Sequence, residues 1–290
     1  MNKENKGKLY IVGTPIGNIR DITLRALDTL KEVDIILAED TRQTLKLLNI
    51  YEITKKCISF NWHTEKEKME YVKKLLDEGN NIALVSDAGM PRISDPGEDL
   101  VLELIEGGYN IEVVPGVTAV TTALALSNLD SGAFTFIGFL PMKPANRKEV
   151  LEKMKYMEET IVLYEAPHKI LKTLKDLKET FGNRRIVIAR ELTKLHEEFR
   201  YSNLEEQISK IEEEGIKGEI VLLIEGEKEG NKKRKEKEIK EQGLDLLSNK
   251  ELVLKYIKEG QDKKDAIKRV AKERKLNKNE VYMECVEIDR

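Results

Sequence analysis

Short apolar runs alternate with amphipathic helical patterns through the first 114 residues of the chain. The runs predict buried strands, and they are residues 8–13, 34–38, 57–60, 81–86 and 110–114. Apolar positions at helical spacing follow them, at residues 22–30, 45–48, 66–78 and 98–106. We expect Asp21 to cap the first of these helices. The alternation predicts an α/β fold with a mostly parallel, doubly wound sheet.

A second series of the same kind begins at residue 133. Strands are predicted at residues 133–140, 160–165, 185–190, 198–202 and 219–225, and helices at residues 146–157, 168–180 and 204–214. The strands at 185–190 and 198–202 follow each other with no helix between them. Parallel neighbours need a long crossover, so these two strands are expected to be antiparallel, and the second sheet is predicted to be mixed.

Changes in composition divide the chain into four predicted segments. They are an N-terminal α/β domain at residues 1–116, a second α/β domain at 117–227, a basic linker at 228–243 and a small helical module at 244–290. The linker has almost no apolar residues, which is typical of a flexible connection. The spacing of short helices in the last segment resembles a helix-turn-helix, although a small bundle with no nucleic-acid role fits the same pattern.

The composition narrows the class of protein. The 290 residues are 40% hydrophobic and 36% charged, and the longest apolar runs are far too short to cross a bilayer. The N-terminus carries no secretory signal pattern, so a cytoplasmic location is expected. Two cysteines and three histidines, none at metal-ligand spacing, argue against a disulfide framework and against a bound metal.

The net charge of −3 hides an uneven distribution. Residues 228–278 carry 18 basic and 10 acidic side chains, whereas residues 1–227 carry 31 basic and 39 acidic ones. An acidic body joined to a basic C-terminal part is a pattern of proteins that contact nucleic acid. A solvated linker and helix is the alternative explanation.

The turns at the predicted strand ends are rich in glycine, proline and acidic residues. Ligands of open α/β sheets bind beyond the carboxyl ends of the strands, so these turns are the expected site. The first turn, residues 13–18, does not form G-x-G-x-x-G, and its Pro15 lacks the amide that a phosphate cradle uses. Neither a P-loop nor the G-x-S-x-G turn of esterases occurs in the sequence.

Eight motifs at or near these turns resemble the tetrapyrrole-methylase superfamily over residues 7–226 and, more narrowly, its branch that methylates ribosomal RNA. They are GTPIGNIRDITLRAL (13–27), AEDTR (38–42), VSDAGMPRISDPG (85–97), VPG (114–116), FIGFLP (136–141), EAPHK (165–169), RELTK (190–194) and KGEIVLLIEG (217–226). The resemblance implies two α/β domains with S-adenosylmethionine bound between them, usually in a homodimer. It also implies 2′-O-methylation of a cytidine ribose in the decoding region of 16S ribosomal RNA, within the small ribosomal subunit.

A sulfonium cofactor needs apolar walls, small residues for close approach and oxygen acceptors. On the resemblance, we expect cofactor contacts from Pro15, Ser86, Asp87, Ala88, Gly89, Ile93, Ser94, Val117, Thr118, Leu140, Tyr164, Ala166, Leu192 and Gly218. The family often has Pro-Ser where this chain has Val117-Thr118, and Thr118 keeps the hydroxyl. Core packing is the alternative role for Ile93 and Leu140.

Methyl transfer to an alcohol is an in-line displacement that a base assists by removing the hydroxyl proton. The candidate catalytic residues are Lys194, Glu191, Glu39, Asp40 and Arg42, with His168 as a further possible base. A sulfonium and Arg190 beside Lys194 are expected to lower its pKa, and Arg42 is expected to hold an RNA phosphate. The structural alternatives are that Arg190 pairs with Glu191 and that His168 caps the following helix.

Two other functions remain open at this point. A tetrapyrrole-ring methyltransferase shares the fold, but it has no use for a basic C-terminal tether, and the AEDTR, EAPHK and RELTK motifs favour the RNA branch. An RNA-binding protein without catalysis is the second alternative. The intact motif at residues 85–97 argues against it, because binding alone needs no cofactor pocket.

Overall fold

The computed structural model describes residues 6–227, 247–274 and 276–286. Five strands of the first half form one sheet; they are β1 (Lys8–Val12), β2 (Ile35–Ala38), β3 (Lys56–Ser59), β4 (Ile82–Val85) and β5 (Asn110–Val114). Their order is β3-β2-β4-β1-β5, and every adjacent pair is parallel. The predicted parallel sheet is therefore confirmed.

Helices cover this sheet and differ from the predicted ones in two places. They are α1 (Leu24–Glu32), α2 (Thr41–Ile50), α3 (Glu65–Asp77) and α4 (Glu98–Glu106). A further helix, α5 (Ala119–Ala125), follows β5 and packs against the second sheet. The prediction that Asp21 caps α1 is wrong, because Asp21 closes a short 3₁₀ helix and the Thr23 hydroxyl accepts the Ala26 N–H at 3.0 Å. Helix α5 has only seven residues, too few to show a helical period, and no helix was predicted there.

The second sheet is mixed, as predicted. Its strands are β6 (Phe134–Phe139), β7 (Thr160–Glu165), β8 (Arg185–Arg190), β9 (Glu198–Asn203) and β10 (Ile220–Ile224), in the order β6-β7-β10-β8-β9. Strands β6 and β7 are parallel, whereas β10 runs antiparallel to both of its neighbours and β8 is antiparallel to β9. The accompanying helices are α6 (Pro144–Met154), α7 (Ile170–Phe181) and α8 (Leu204–Glu214).

Both sheets are buried on two faces, which explains why their central strands are apolar throughout. In the first sheet, Leu37 and Leu84 pack with α3 and α4, while Ile36 and Val85 pack on the opposite face with α1 and α2. In the second sheet, Leu163 and Leu222 face α6, α7 and α8, and their neighbours Val162 and Val221 face α5. Burial of these side chains provides most of the driving force for folding.

The two sheets belong to one compact unit that ends at Gly226, and a second unit begins at Glu227. The domain boundary near residue 116 stays a prediction. In the second unit, α9 (Asn249–Lys258), α10 (Lys263–Glu273) and α11 (Lys278–Glu284) enclose a small core of Leu252, Val253, Ile267, Val270 and Val281. The predicted basic linker at residues 228–243 lies outside the described residues.

No helix in the described part of the chain is both long and apolar enough to cross a membrane. Within the same residues, no group of three or more histidine, cysteine, aspartate or glutamate side chains is arranged to hold a metal ion.

Candidate active site between the two sheets

A cavity of about 420 Å³ opens between the two sheets, at the ends of their strands. Loops that follow β1, β2, β4 and β5 form one side, and residues at or after the ends of β6, β7 and β8 form the other. Strand β10 runs the opposite way, so its first residue, Ile220, lies opposite Glu165 and Arg190 at the same edge of the sheet. The sheet topology therefore brings residues from most of the chain to one cavity.

Ten of the predicted site residues line this cavity. They are Glu39, Asp87, Ala88, Gly89, Ile93, Ser94, Thr118, Tyr164, Ala166 and Leu192. Ile93 lines the cavity with 45% of its surface exposed, so it is not a core residue.

Five predicted cofactor residues are not among the lining residues. Pro15 and Ser86 are buried and do not line the cavity. Val117 packs against the core cluster that contains Ile16 and Leu192. Leu140 is buried in the core of the second sheet, which matches the alternative given for it. A Cβ at Gly218 would lie 2.6 Å from the Glu191 carboxylate, so its absence leaves room for that side chain.

The loop at residues 86–97, called here the β4–α4 loop, supplies seven of the lining residues. Thr14 and Gly89 fix its first half by exchanging two backbone hydrogen bonds, of 2.9 and 3.1 Å. In its second half, Arg92 and Ser94 have φ values of 72° and 69°, a left-handed conformation that is costly for residues with a side chain. Such conformations concentrate at functional sites, where the surrounding structure holds them in place.

Two close approaches bring the loops together. Strand β6 has a bulge between Phe136 and Gly138, and a Cβ at Gly138 would lie 2.9 Å from the Ser94 hydroxyl. A Cβ at Gly13 would lie 2.7 Å from the backbone of Gly116. Glycine at these positions lets the turns around the cavity approach each other more closely than a side chain would allow.

Three carboxylates form an acidic wall, and they are Glu39, Asp87 and Asp95. Burial is the main reason why the pKa of each lies above its usual value, and repulsion by neighbouring carboxylates, which include Asp40, adds to it. The pKa of Asp95 is raised most, from 3.8 to about 7. The Asp87 carboxylate also accepts the Asp40 N–H at 3.0 Å, which fixes it against the end of β2.

An aromatic group forms the wall contributed by β6 and β7. The rings of Phe136 and Phe139 contact Tyr164 edge to face, with centroids 4.9 and 5.7 Å apart. Burial, and then the nearby charge of Asp95, raise the pKa of the Tyr164 hydroxyl to about 12, so it stays protonated. The cavity thus has aromatic surface from β6 and β7 in addition to its acidic wall.

The structure contradicts the expected lowering of the Lys194 pKa. Burial acts to lower it, but the ammonium donates hydrogen bonds to Glu219 at 3.0 Å and Glu191 at 3.1 Å, and together they raise the pKa. The Glu191 carboxylate also accepts the Glu219 N–H at 2.8 Å, the largest cause of its lowered pKa. Lys194 is therefore a charged group that bridges two carboxylates, of which Glu219 lines the cavity.

Asp40 and Arg42 pair with each other at the start of α2. The guanidinium donates to the Asp40 carboxylate at 2.6 and 3.0 Å, and this holds the pKa of Asp40 down to about 2. The Asp40 carboxylate also caps α2 by accepting the Arg42 N–H at 2.9 Å. A carboxylate held this way is a poor base, while the Arg42 side chain remains 84% exposed.

The structural roles considered for Arg190 and His168, an ion pair with Glu191 and a helix cap, are both wrong. Arg190 pairs with Glu198 at 2.9 Å rather than with Glu191. The N-cap of α7 is Lys169 and makes no side-chain capping bond, so His168 does not cap this helix.

Ten lining residues were not predicted, namely Ile16, Met90, Asp95, Ala119, Phe139, Glu165, Pro167, Glu219, Ile220 and Val221. Nine of them belong to the eight motifs, so the motifs themselves were the available signal, and Ala119 is the exception. Glu219, Ile220 and Val221 also lie in a motif, but they reach the cavity because β10 runs in the opposite direction, which the pattern of residues does not reveal.

Comparison with known proteins agrees with this architecture. Residues 8–207 match the family described as Tetrapyrrole (Corrin/Porphyrin) Methylases. The chain belongs to the tetrapyrrole methylase family. Solved structures of this fold include uroporphyrin III C-methyltransferase from Thermus thermophilus, with a TM-score of 0.56, 21% identity and coverage of 76% of this chain and 98% of that one. The methyltransferase CobJ has a TM-score of 0.59 and 19% identity, and the match covers 76% of this chain and 94% of that one.

Curated relatives named Ribosomal RNA small subunit methyltransferase I are more similar in sequence. The one from Halalkalibacterium halodurans is 46% identical over 97% of this chain and 95% of its own length. The one from Bacillus subtilis is 43% identical over 97% of this chain and 94% of its own length. The one from Thermotoga maritima is 49% identical over 76% of this chain and 99% of its own length.

Proposed function

We propose that this chain transfers a methyl group from S-adenosylmethionine to 16S ribosomal RNA in the small ribosomal subunit. The finer proposal is that the acceptor is the ribose 2′-hydroxyl of a cytidine in the decoding region. The observation that carries the proposed methylation of 16S ribosomal RNA is 46% identity, across nearly the full length of both chains, to a relative named Ribosomal RNA small subunit methyltransferase I.

The residues that line the cavity suit a sulfonium cofactor. Its volume of about 420 Å³ lies in the range of small-molecule sites. Glu39, Asp87 and Asp95 provide negative charge for a cationic sulfur, and Ile93 and Leu192 provide apolar walls for a base. A solved structure of the same fold, the Thermus thermophilus uroporphyrin methyltransferase, is described as a complex with S-adenosylhomocysteine, the demethylated product.

The bound donor supplies an activated methyl group, so the protein mainly has to orient the acceptor and accept its proton. Among the predicted base candidates, Glu39 lines the cavity and has a raised pKa, whereas Lys194 is charged and Asp40 is paired. We assign proton acceptance from the 2′-hydroxyl to Glu39. Lys194, tethered to Glu219, is assigned to attraction of the RNA phosphates.

Methylation of small ribosomal subunits tests the proposal. Subunits that lack ribose methylation in the decoding region are incubated with the protein and isotope-labelled S-adenosylmethionine, and the RNA is digested and analysed by mass spectrometry. We expect label on the ribose of one cytidine nucleoside. Label on a base would refute the 2′-O assignment, and no label in any RNA would refute the proposed function.

Glu39→Gln tests the assigned base in the same assay. At saturating S-adenosylmethionine, which offsets the loss of one charge from the acidic wall, the variant is expected to lower kcat by roughly 10²- to 10⁴-fold, the usual contribution of a general base. A kcat close to that of the unmodified protein would remove Glu39 from the reaction.

A further inference from the structure

The loop after β3 holds the one tryptophan of the sequence in an exposed position. Trp62 is 57% exposed, whereas Phe60, two residues earlier, is fully buried. Tryptophan is on average strongly buried, because exposure of its large ring is unfavourable. The loop therefore offers a broad, flat aromatic surface to a ligand.

Hydrogen bonds fix the backbone that carries this ring. The Asn61 side-chain oxygen accepts the N–H groups of His63 and Thr64, at 3.1 and 3.3 Å. In return, the Thr64 hydroxyl accepts the Asn61 N–H at 3.0 Å. A turn held in this way loses little conformational entropy when a ligand stacks on Trp62.

The start of this turn is tied to the acidic wall of the cavity. Ser59 pairs with Ala38 in the sheet, and the Phe60 N–H donates to the Ala38 carbonyl at 2.7 Å. The next residue after Ala38 is Glu39, which lines the cavity. Trp62 thus follows the end of β3, and Glu39 follows the end of β2, the strand that pairs with β3.

The end of the turn is tied to the β4–α4 loop. Glu65 is buried, and its carboxylate accepts the N–H groups of Gly97 at 3.3 Å and Leu100 at 3.0 Å. Gly97 is the last residue of the β4–α4 loop. Residues 61–64 are therefore held between two loops that line the cavity.

We propose that Trp62 stacks on an unpaired RNA base beside the nucleotide that is methylated, an inference that rests on the proposed function. A ribose can enter the cavity only if its nucleotide leaves the helical stack, and sequence-specific RNA proteins replace that lost stacking with aromatic rings. Lys66 in the first turn of α3 and Arg42 in the first turn of α2 lie close by in sequence and topology. Each has a side chain that is 84% exposed, although Lys66 pairs with Asp99 and Arg42 with Asp40. These groups complement a phosphate backbone.

Steady-state methylation of small ribosomal subunits by Trp62→Ala and Trp62→Phe tests the stacking. We expect Trp62→Ala to raise KM for the subunit about tenfold, the usual effect of one lost base stack. Cofactor affinity should stay unchanged, and Trp62→Phe should recover most of the loss. The control is Tyr156→Ala, an exposed aromatic residue that precedes β7, at the end of the sheet away from the cavity.

A KM for Trp62→Ala equal to that of the unmodified protein would overturn the inference while leaving the methylation itself in place. Equal loss in both Trp62 variants together with weaker cofactor binding would also overturn it, because that result indicates a structural role. If the unmodified protein methylates no RNA, the proposed function fails instead.

Fluorescence gives an independent readout, since the chain has a single tryptophan. Titration of the full-length protein with a single-stranded cytidine-containing oligonucleotide is expected to quench the emission of Trp62, and a duplex of the same sequence is expected to quench it much less. Unchanged emission with both, or a change that depends only on protein concentration and so reports a second copy of the chain, would contradict base stacking.

Discussion

Burial, and then repulsion by neighbouring carboxylates, raise the pKa values of three carboxylates in the cavity wall. A cation among these groups offsets both effects, since it favours their charged forms. The same wall would repel an anionic ligand, so the electrostatics favour a positively charged cofactor over a nucleotide triphosphate.

Asp87→Ala tests this wall. The variant is expected to bind S-adenosylmethionine roughly 10- to 100-fold more weakly, the cost of a lost charged hydrogen bond, as measured by isothermal titration calorimetry. The matched control is Asp99→Ala on the exposed first turn of α4, which should leave the affinity unchanged. Unaltered binding by Asp87→Ala would remove this residue from the site.

Asp95 makes the stability of the cofactor-free protein depend on pH. Its pKa rises from 3.8, the ordinary value of an aspartate, to about 7 in the folded protein, so between these values the folded state binds more protons than the unfolded state. Stability from this group is complete below about pH 4 and is lost as the pH rises through 7. We therefore expect Asp95→Asn to raise the thermal midpoint at pH 8 and to change it little at pH 4.

Differential scanning calorimetry at several pH values checks this expectation. Asp99→Asn serves as the control, because this carboxylate is exposed and no stabilisation at high pH is expected from its removal. A difference between Asp95→Asn and the unmodified protein that does not vary with pH would contradict the raised pKa.

For individual residues, the sequence predicted which polar side chains lie at the cavity better than it predicted their hydrogen-bond partners. The motifs placed Asp87 and Ser94 at the cavity, because strand ends converge there. The direction of the Lys194 pKa could not be predicted, since its partner Glu219 lies 25 residues further along the chain and on another strand end. Trp62 belongs to none of the eight motifs, and its exposure follows only from the fold.

Among the secondary-structure elements, the link between α3 and α4 has the clearest consequence for the site. Glu65 begins α3 and caps the backbone of α4, so one buried carboxylate connects the turn with Trp62 to the exit of the β4–α4 loop. Gly97, the N-cap of α4, has no side chain for this purpose, and Glu65 takes its place.

Glu65→Ala is expected to lower the free energy of unfolding by about 2 kcal/mol, because two buried N–H groups lose a charged acceptor. Urea denaturation followed by circular dichroism measures the loss. Glu67→Ala, on the exposed side of the first turn of the same helix, should cost less than about 1 kcal/mol. A similar loss in both variants would show that the effect comes from the helix end and not from the contact with α4.

Most elements were predictable because each sheet is buried on both faces, which gives long apolar strands and clearly amphipathic helices. Strand β5 and helix α8 begin and end where the pattern placed them. The pairing of β10 between β7 and β8 was not predictable, because the sequence of an apolar strand does not indicate which strands it pairs with. The short helix α5 was missed for the opposite reason, its pattern being too brief to read.

In the whole molecule, the net charge is distributed unevenly along the chain. Residues 1–227 have more acidic than basic side chains, and residues 228–278 have more basic than acidic ones. The relative from Thermotoga maritima is matched over 99% of its length by 76% of this chain, so the family fold does not depend on the remaining part. We expect the basic C-terminal part to add affinity for RNA through phosphate contacts and the cofactor site to belong to the first unit.

Deletion of residues 228–290 is expected to weaken RNA binding and to leave the affinity for S-adenosylmethionine nearly unchanged. Filter binding at increasing salt concentrations measures the first, and calorimetry the second. The full chain should show the steeper loss with salt, by about 0.7 in the logarithmic slope for each lost contact to a single-stranded phosphate. Equal losses of RNA and cofactor binding would contradict a separate role for this part.

The position of β10 also bears on how the newly made protein becomes active. This strand is the last of its unit to be synthesised, yet it completes the middle of the second sheet and contributes Ile220 and Val221 to the cavity. Until residue 224 has left the ribosomal exit tunnel, β7 and β8 have no strand between them. A nascent chain halted before that point should be unable to retain the methyl donor. We therefore expect cofactor binding to begin only after β10 has been synthesised and paired.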